Sequence, residues 1–179
     1  MSRIIAGELG GRRLEVPKSG TRPTTDRVRE ALFSTLGNDG ALQGAKVLDV
    51  FAGSGALGFE AISRGAAHAT FIEAARPAAT VIKRNAASLG VDSKVSILTA
   101  KAPAALPKAG SGFTLAFLDP PYDIAPHVLA ETLAALPSIL APHSVVVVET
   151  STRAASSGPM SSSRACAAAP TSMPSVRWR

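Results

Sequence analysis

Five short segments of the chain, 46–50, 69–73, 94–98, 114–118 and 144–149, are apolar and rich in Val, Ile, Leu or Phe. Such near-continuous runs mark parallel strands buried on both faces. Stretches with helical spacing lie between them. One follows Gly55 and ends near Gly65; a second opens at Pro77, a favoured first helical position, and closes at Gly90. A third carries Ile124, Val128, Leu129, Leu133 and Leu136 on one face. Strand and helix alternate, which predicts a doubly wound α/β sheet with right-handed crossovers. In such a sheet ligands collect at the carboxyl ends of the strands.

Ahead of the sheet, residues 3–6 and 12–16 can pair as a hairpin across Gly7 to Gly11. A helix is predicted over 26–36, with Val28, Ala31, Leu32 and Leu36 on its apolar face and Arg27, Arg29 and Glu30 on the other. Beyond Glu149 the pattern stops. Residues 151–179 are built from Ser, Ala, Arg and Pro without an acidic side chain, a composition expected to be disordered or weakly ordered.

The 179 residues match one domain, and no run approaches the roughly 20 apolar residues that a membrane span needs. A cytoplasmic protein without an export signal is expected. A single cysteine, Cys166, excludes an intrachain disulfide, and His68, His127 and His143 have no ligand-like spacing, so no metal site is expected. The formal charge of +6 is uneven: residues 1–30 hold seven basic and four acidic side chains, 31–150 eight and nine, and 151–179 four and none. A basic tail is commonly just solvated, so the N-terminal arginines point more strongly to a polyanion partner.

Asp49-Val50-Phe51-Ala52-Gly53-Ser54-Gly55-Ala56-Leu57-Gly58 joins the first core strand to the next helix. Its glycines permit a tight turn and close backbone approach to a ligand. Gly53, Gly55 and Gly58 also satisfy G-x-G-x-x-G, so a dinucleotide is an alternative to S-adenosylmethionine. Asp49 favours S-adenosylmethionine: at the strand end its carboxylate can receive an ammonium or organise water around it, whereas a pyrophosphate there would be repelled. Glu73 closes the second strand, where it can accept both ribose hydroxyls of either ligand.

The strand at 114–118 runs directly into Asp119-Pro120-Pro121-Tyr122. Two prolines end it abruptly and offer no N–H, leaving the Asp119 carboxylate and the proline carbonyls as acceptors in one rigid turn. An exocyclic amine on a base is a poor nucleophile because its lone pair is delocalised into the ring. Acceptors on both N–H bonds favour a pyramidal nitrogen, and a carboxylate stabilises the positive charge that develops during transfer. Asp119 needs no prior proton removal for this. Tyr122 offers a ring on which a turned-out base can stack.

Arg3-Ile4-Ile5-Ala6-Gly7, Gly11-Arg12-Arg13-Leu14, Arg22-Pro23-Thr24-Thr25-Asp26-Arg27-Val28-Arg29-Glu30, the loop and helix from Asp49 to Glu60, and the Asp119 to Tyr122 turn together resemble the bacterial 16S rRNA guanine-N2 methyltransferases. The likeness covers roughly residues 3–150. It implies a Rossmann-like seven-stranded methyltransferase sheet, S-adenosylmethionine as methyl donor, and one guanine of 16S rRNA in the small ribosomal subunit as target. Carried onto this chain, it implies a cofactor site of Asp49, Phe51, Ala52, Gly53, Ser54, Gly55, Glu73 and Asp119, with Asp119, Pro120, Pro121 and Tyr122 at the reaction centre. The N-terminal extension, residues 1–40, is then expected to dock RNA through Arg3, Arg12, Arg13, Arg22, Thr24, Arg27 and Arg29. Residues 41–150 form the catalytic core, and a monomer is expected. Two departures stand out. Thr99-Ala100-Lys101 lacks the acidic residue that many methyltransferases place near the adenine, and residues 151–179 lack the pattern of the family's closing hairpin. A shifted reading frame past Glu149 or a divergent tail would explain the second.

Three other functions share parts of the pattern. An adenine-N6 or cytosine-N4 DNA methyltransferase would use similar chemistry at Asp119, but the short basic arm and the absence of a separate target-recognition domain disfavour it. A nicotinamide-dependent oxidoreductase leaves Asp119 to Tyr122 without a role. A non-catalytic RNA-binding protein would not bind the methyl donor.

Overall fold

The computed structural model describes residues 2–17 and 26–149, and the backbone of 175–178. Arg22 and Thr24 lie outside the described residues. The core is a parallel sheet of six strands: β3 (Lys46–Val50), β4 (His68–Glu73), β5 (Val95–Thr99), β6 (Phe113–Leu118), β7 (Leu140–Val148) and β8 (Ser175–Trp178), in spatial order β5-β4-β3-β6-β7-β8. The chain winds outward from β3 in one direction through β4 and β5, then returns to lay β6 on its other side. That reversal between β3 and β6 is the switch point where open α/β sheets bind ligands.

Alternation along the strands divides the core in two. Val47, Ala69, Phe71, Leu115, Phe117 and Val147 pack on one face against α1 (Asp26–Asn38), α2 (Ala56–Ser63) and α3 (Arg76–Leu89). Leu48, Val50, Ile72, Ala116, Leu118 and Val148 pack on the other, facing α4 (Ala102–Ala105) and α5 (Pro126–Ala135). Both faces are dry, which is why the strands read as continuous apolar runs. β7 begins earlier than its apolar run. Its pairing with β6 slips between Phe113 and Leu115, and His143 adopts φ 59° there, so the regular ladder resumes only at Val145.

Among the described residues this sheet has six strands, and its departure from the family's seven falls after β7, where the closing pattern is lacking in the sequence. Within 151–179, expected from composition to be disordered or weakly ordered, the backbone of Ser175–Trp178 pairs in parallel with Val145 to Val148.

The N-terminal hairpin is shorter than its sequence suggests. β1 (Ser2–Arg3) and β2 (Arg13–Leu14) pair antiparallel over two residues each. Ile4 N–H still donates across to Arg12 O at 2.9 Å, but beyond it core side chains take over: Ile5 N–H and Ala6 N–H donate to the Glu60 carboxylate at 2.7 and 3.1 Å, and Glu15 N–H donates to Asn85 Oδ1 at 2.8 Å. Ser63 adds its hydroxyl, which accepts from Leu9 N–H at 3.0 Å and donates to Ala6 O at 2.5 Å. Gly7 crosses α2 so closely that a Cβ would lie 1.9 Å from Ser63 O, so the arm is fitted to α2 and is no free flap.

The face assigned to α1 is also corrected. Its buried residues are Arg29, Phe33 and Leu36, while Val28 is 39% exposed. Phe33 sets the rotation by packing on Phe117 with ring centroids 5.5 Å apart. Arg29 follows it inside because its guanidinium finds partners: Ser2 Oγ at 3.1 Å, the Arg3 carbonyl, and Asp26 Oδ1 at 3.1 Å. Periodicity of apolar residues cannot find a stripe that contains an arginine whose terminal nitrogens are paired by other segments.

Glu60 is fully buried and also accepts from Arg64 Nε at 2.7 Å. Glu60→Ala would strand two backbone N–H groups and a guanidinium. We expect a loss of about 3–5 kcal/mol, the usual cost of breaking a buried pair. Denaturant titration should show it, with new protease cleavage before Leu14; an unchanged midpoint and an uncut arm would contradict this role for Glu60.

Candidate active site

β3, β4 and β6 end level with one another: Val50 pairs with Ile72 on one side and with Leu118 on the other. Asp49, Glu73 and Asp119 therefore gather at one edge of the sheet. All three line a cleft of about 560 Å³, together with Phe51, Ala52, Gly53 and Ser54. That volume suits a nucleoside-sized ligand. Gly55 is the member of the expected cofactor set that does not line it. Gly55 lies under the loop at φ 77°, starting α2, and a Cβ there would meet the Phe59 ring at 2.7 Å.

The loop out of β3 is strained and pinned. Phe51 adopts φ 64°, a left-handed conformation that costs a bulky residue roughly 1–3 kcal/mol. It is held by Ala52 N–H to Ile72 O at 3.1 Å and by Gly53 N–H to Glu73 Oε2 at 2.8 Å. Glu73 Oε1 also accepts from Ala75 N–H at 2.7 Å. A carboxylate has about four acceptor sites, so Glu73 shapes the loop and retains capacity for two hydroxyls.

Asp49 is 2% exposed, and its Oδ2 accepts from Gly58 N–H at 2.9 Å. Gly58 allows this approach, since a Cβ there would lie 2.3 Å from the Phe71 ring and 3.2 Å from Asp49 Oδ2. The third glycine of the motif thus serves helix packing. Burial pushes the Asp49 carboxyl well above the usual range; the Gly58 N–H opposes this, while Asp119 and Glu73 push the same way. A desolvated acid beside two more carboxylates is relieved by a cation and penalised by an anion.

The reaction turn faces the same cleft. Asp119, Pro120, Pro121 and Tyr122 all line it, with Tyr122 70% exposed. Of the cations expected to meet RNA, Arg3, Arg12, Arg13 and Arg27 are exposed. Arg29 is not: at 2% exposure it ties β1 to α1, and it borders the cleft beside Ser2 and Val28. Among the described residues no group of three His, Cys, Asp or Glu is arranged to hold a metal, and no helix is long and apolar enough to cross a membrane.

Sequence reasoning missed several contributors. Glu149 follows β7 and lines the cleft beside Asp119, and the rule that places ligands at strand ends could have flagged it. Val16 and Pro17 of the arm line it too. Asn85 carries no local signal at all, because its partners lie 31 and 70 residues away.

The sequence profile of the family described as Conserved hypothetical protein 95 matches residues 2–166. Ribosomal RNA small subunit methyltransferase D of Escherichia coli is 46% identical over 121 residues, which are 67% of this chain and 60% of that protein. The chain thus spans less than two thirds of that relative's length. Among solved structures, a putative methyltransferase from Escherichia coli is 40% identical with a TM-score of 0.71, covering 80% of this chain and 77% of that one. A putative methylase from Haemophilus influenzae is 34% identical with a TM-score of 0.64, covering 82% and 79%.

Burial makes the folded Asp49 carboxyl a weaker acid, and this fixes a sign. The folded state holds its proton more tightly than the unfolded chain, so the contribution to stability is whole below the unfolded value of about 3.9 and is lost as pH rises toward the folded value. Asp49→Asn keeps an acceptor for Gly58 N–H and cannot ionise. Its thermal midpoint relative to the parent should therefore climb from pH 4 upward in the ligand-free protein. A difference that is flat with pH would mean that the folded protein does not penalise the Asp49 carboxylate.

Proposed function

The chain belongs to the Conserved hypothetical protein 95 family, and from that premise we propose that it methylates the exocyclic N2 amine of one guanine in small-subunit ribosomal RNA, with S-adenosylmethionine as donor. The observation that carries this reading is the meeting of Asp49, Glu73, Asp119 and the exposed Tyr122 on one cleft at the switch point of the sheet.

The residues fit a cationic nucleoside. Two or three carboxylates with a desolvated member suit positive charge, and the spare acceptor sites of Glu73 suit ribose hydroxyls. When bound, S-adenosylmethionine supplies an electrophilic sulfonium methyl group. Asp49 and Glu73, with the Gly53–Ser54 backbone, would hold it. A pyrophosphate in the same place would face Asp49, Glu73 and Asp119, which disfavours a dinucleotide.

Toward the target, the Asp119 carboxylate and the Pro120 carbonyl accept the two N–H bonds of the amine. Pro120 and Pro121 lack N–H groups that would compete for those acceptors. Hydrogen bonds of this kind localise the nitrogen lone pair, and the Asp119 charge stabilises the cationic nitrogen as it forms. The amine proton then leaves to Asp119 or to water. Tyr122, projecting into solvent, serves as a stacking surface for a base turned out of its RNA. Arg3, Arg12, Arg13 and Arg27 supply phosphate contacts, with Arg22 and Thr24 of the same extension.

Transfer of labelled methyl from S-adenosylmethionine onto unmethylated small subunits, naked rRNA and DNA, followed by nucleoside analysis, tests the reading. N2-methylguanosine from the ribosomal substrates is expected. Methylated adenine or cytosine from DNA would replace it with the DNA reading, and no transfer combined with no donor binding would favour a non-catalytic RNA binder.

Within that assay the turn residues should fail differently. Asp119→Ala should slow single-turnover methyl transfer by about two to three orders of magnitude, in line with removal of a transition-state charge contact. Tyr122→Ala should weaken RNA positioning by roughly 1–3 kcal/mol, while Tyr122→Phe keeps the ring and most of the activity. Near-normal chemistry in Asp119→Ala would remove the mechanism, and a Tyr122→Phe protein as poor as Tyr122→Ala would assign the hydroxyl a role instead.

A further inference from the structure

α3 carries Arg76, Lys83 and Arg84 and no acidic residue. All three are exposed, on the side away from its buried Ala78, Ala79, Ile82, Asn85, Ala86 and Leu89. Its first turn opens on the cleft, which Ala75 and Ala78 line. The N-terminal arm lies along the same helix. Arg12 donates to Ser88 O at 2.5 Å, and Arg84 Nη1 stands 3.7 Å from Glu15 Oε2.

That ion pair is 65% and 60% exposed and fixes little by itself. Asn85 does the fixing. Only 2% exposed, it accepts from Glu15 N–H at 2.8 Å and donates to Glu15 O and to Ser54 O, both at 3.0 Å. An amide that satisfies both backbone groups of one arm residue sets the register of the arm on α3, since any slide would strand buried polar groups. Through Ser54 it ties both to the cofactor loop.

Arg12 and Arg84 thereby stand where the arm crosses α3, Arg13 and Lys83 are the exposed cations next to them in sequence, Glu15 is the acid at the crossing, and Glu8 is exposed at the arm's turn. From this continuity we infer that the RNA-docking surface extends beyond the arm and across α3, where Lys83 and Arg84 bind the phosphate backbone of the RNA strand that delivers its base to the cleft. The inference rests on the RNA reading above and adds two contacts to it. The shared cleft carries it: Val16 and Pro17 of the arm, Ala75 just before α3 and Ala78 within it line the same opening as Tyr122, so the arm and the start of α3 both border the cleft that a base would enter.

The test is the salt dependence of affinity of the full chain for a naked 16S rRNA fragment. Removing one cation that neutralises a phosphate should lower the slope of log affinity against log salt by about one. Lys83→Gln with Arg84→Gln should lower it by about two, as should Arg12→Gln with Arg13→Gln. Arg76 is left intact, being beside Glu73 and Ala75. S-adenosylmethionine affinity and thermal midpoint should match the parent, which separates damage to a docking surface from damage to the fold. A steep slope in the parent that survives in the α3 double variant overturns the inference and leaves the RNA reading standing. A slope that falls only with assembled subunits, and not with naked RNA, overturns it in favour of a protein partner. A parent chain whose RNA affinity does not depend on salt defeats the RNA reading itself.

Discussion

The hydrogen bond from Gly58 N–H to the buried Asp49 carboxylate is the contact on which the rest of the site depends. It docks the first turn of α2 against the end of β3, and only a residue without Cβ permits it. With α2 seated, Phe59 meets Phe71 at 4.9 Å between centroids, and Glu60 and Ser63 present the acceptors and donor that hold the arm. A single short helix, buried all round from Gly58 to Ser63, thus positions the loop before it and the arm that lies across it. Loop and arm are positioned together because one helix supports both.

The same contact places charge where solvent cannot relax it. Asp49 sits desolvated beside Glu73 and Asp119, and Phe51 holds a left-handed conformation at the loop's start. Both features cost stability in the protein alone, and the like charge is of the kind that a cation in the cleft would offset. Strain and like charge concentrated at a switch point, with well-satisfied packing elsewhere, fit a site built for binding.

Much of this was legible in the chain. β3 could be read to the residue because Lys46–Val50 is buried on both faces and ended by the loop glycines. α3 was bounded by Pro77 and Gly90, the latter in the left-handed cap that glycine favours. The Asp119 to Tyr122 turn declared itself through its prolines. What escaped was long-range and polar. The buried face of α1 keeps Leu36 but turns to take in Phe33 and Arg29, because burial of an arginine depends on Ser2, Arg3 and Asp26, which spacing does not reveal. Glu60 and Asn85 looked like ordinary helix residues, yet their partners in the arm are 54 to 70 residues distant. The early start of β7 and the strand at Ser175–Trp178 depend on pairing with a neighbour, which composition does not encode.

The central claim is electrostatic: three strand-end carboxylates select a cationic nucleoside over an anionic dinucleotide at a G-x-G-x-x-G loop. Calorimetric titration of the full chain with S-adenosylmethionine and, separately, with nicotinamide adenine dinucleotide tests it directly. Saturable binding of S-adenosylmethionine is expected, abolished by combining Asp49→Asn with Glu73→Ala, together with no measurable heat from the dinucleotide. Binding of the dinucleotide at equal or higher affinity would contradict the claim.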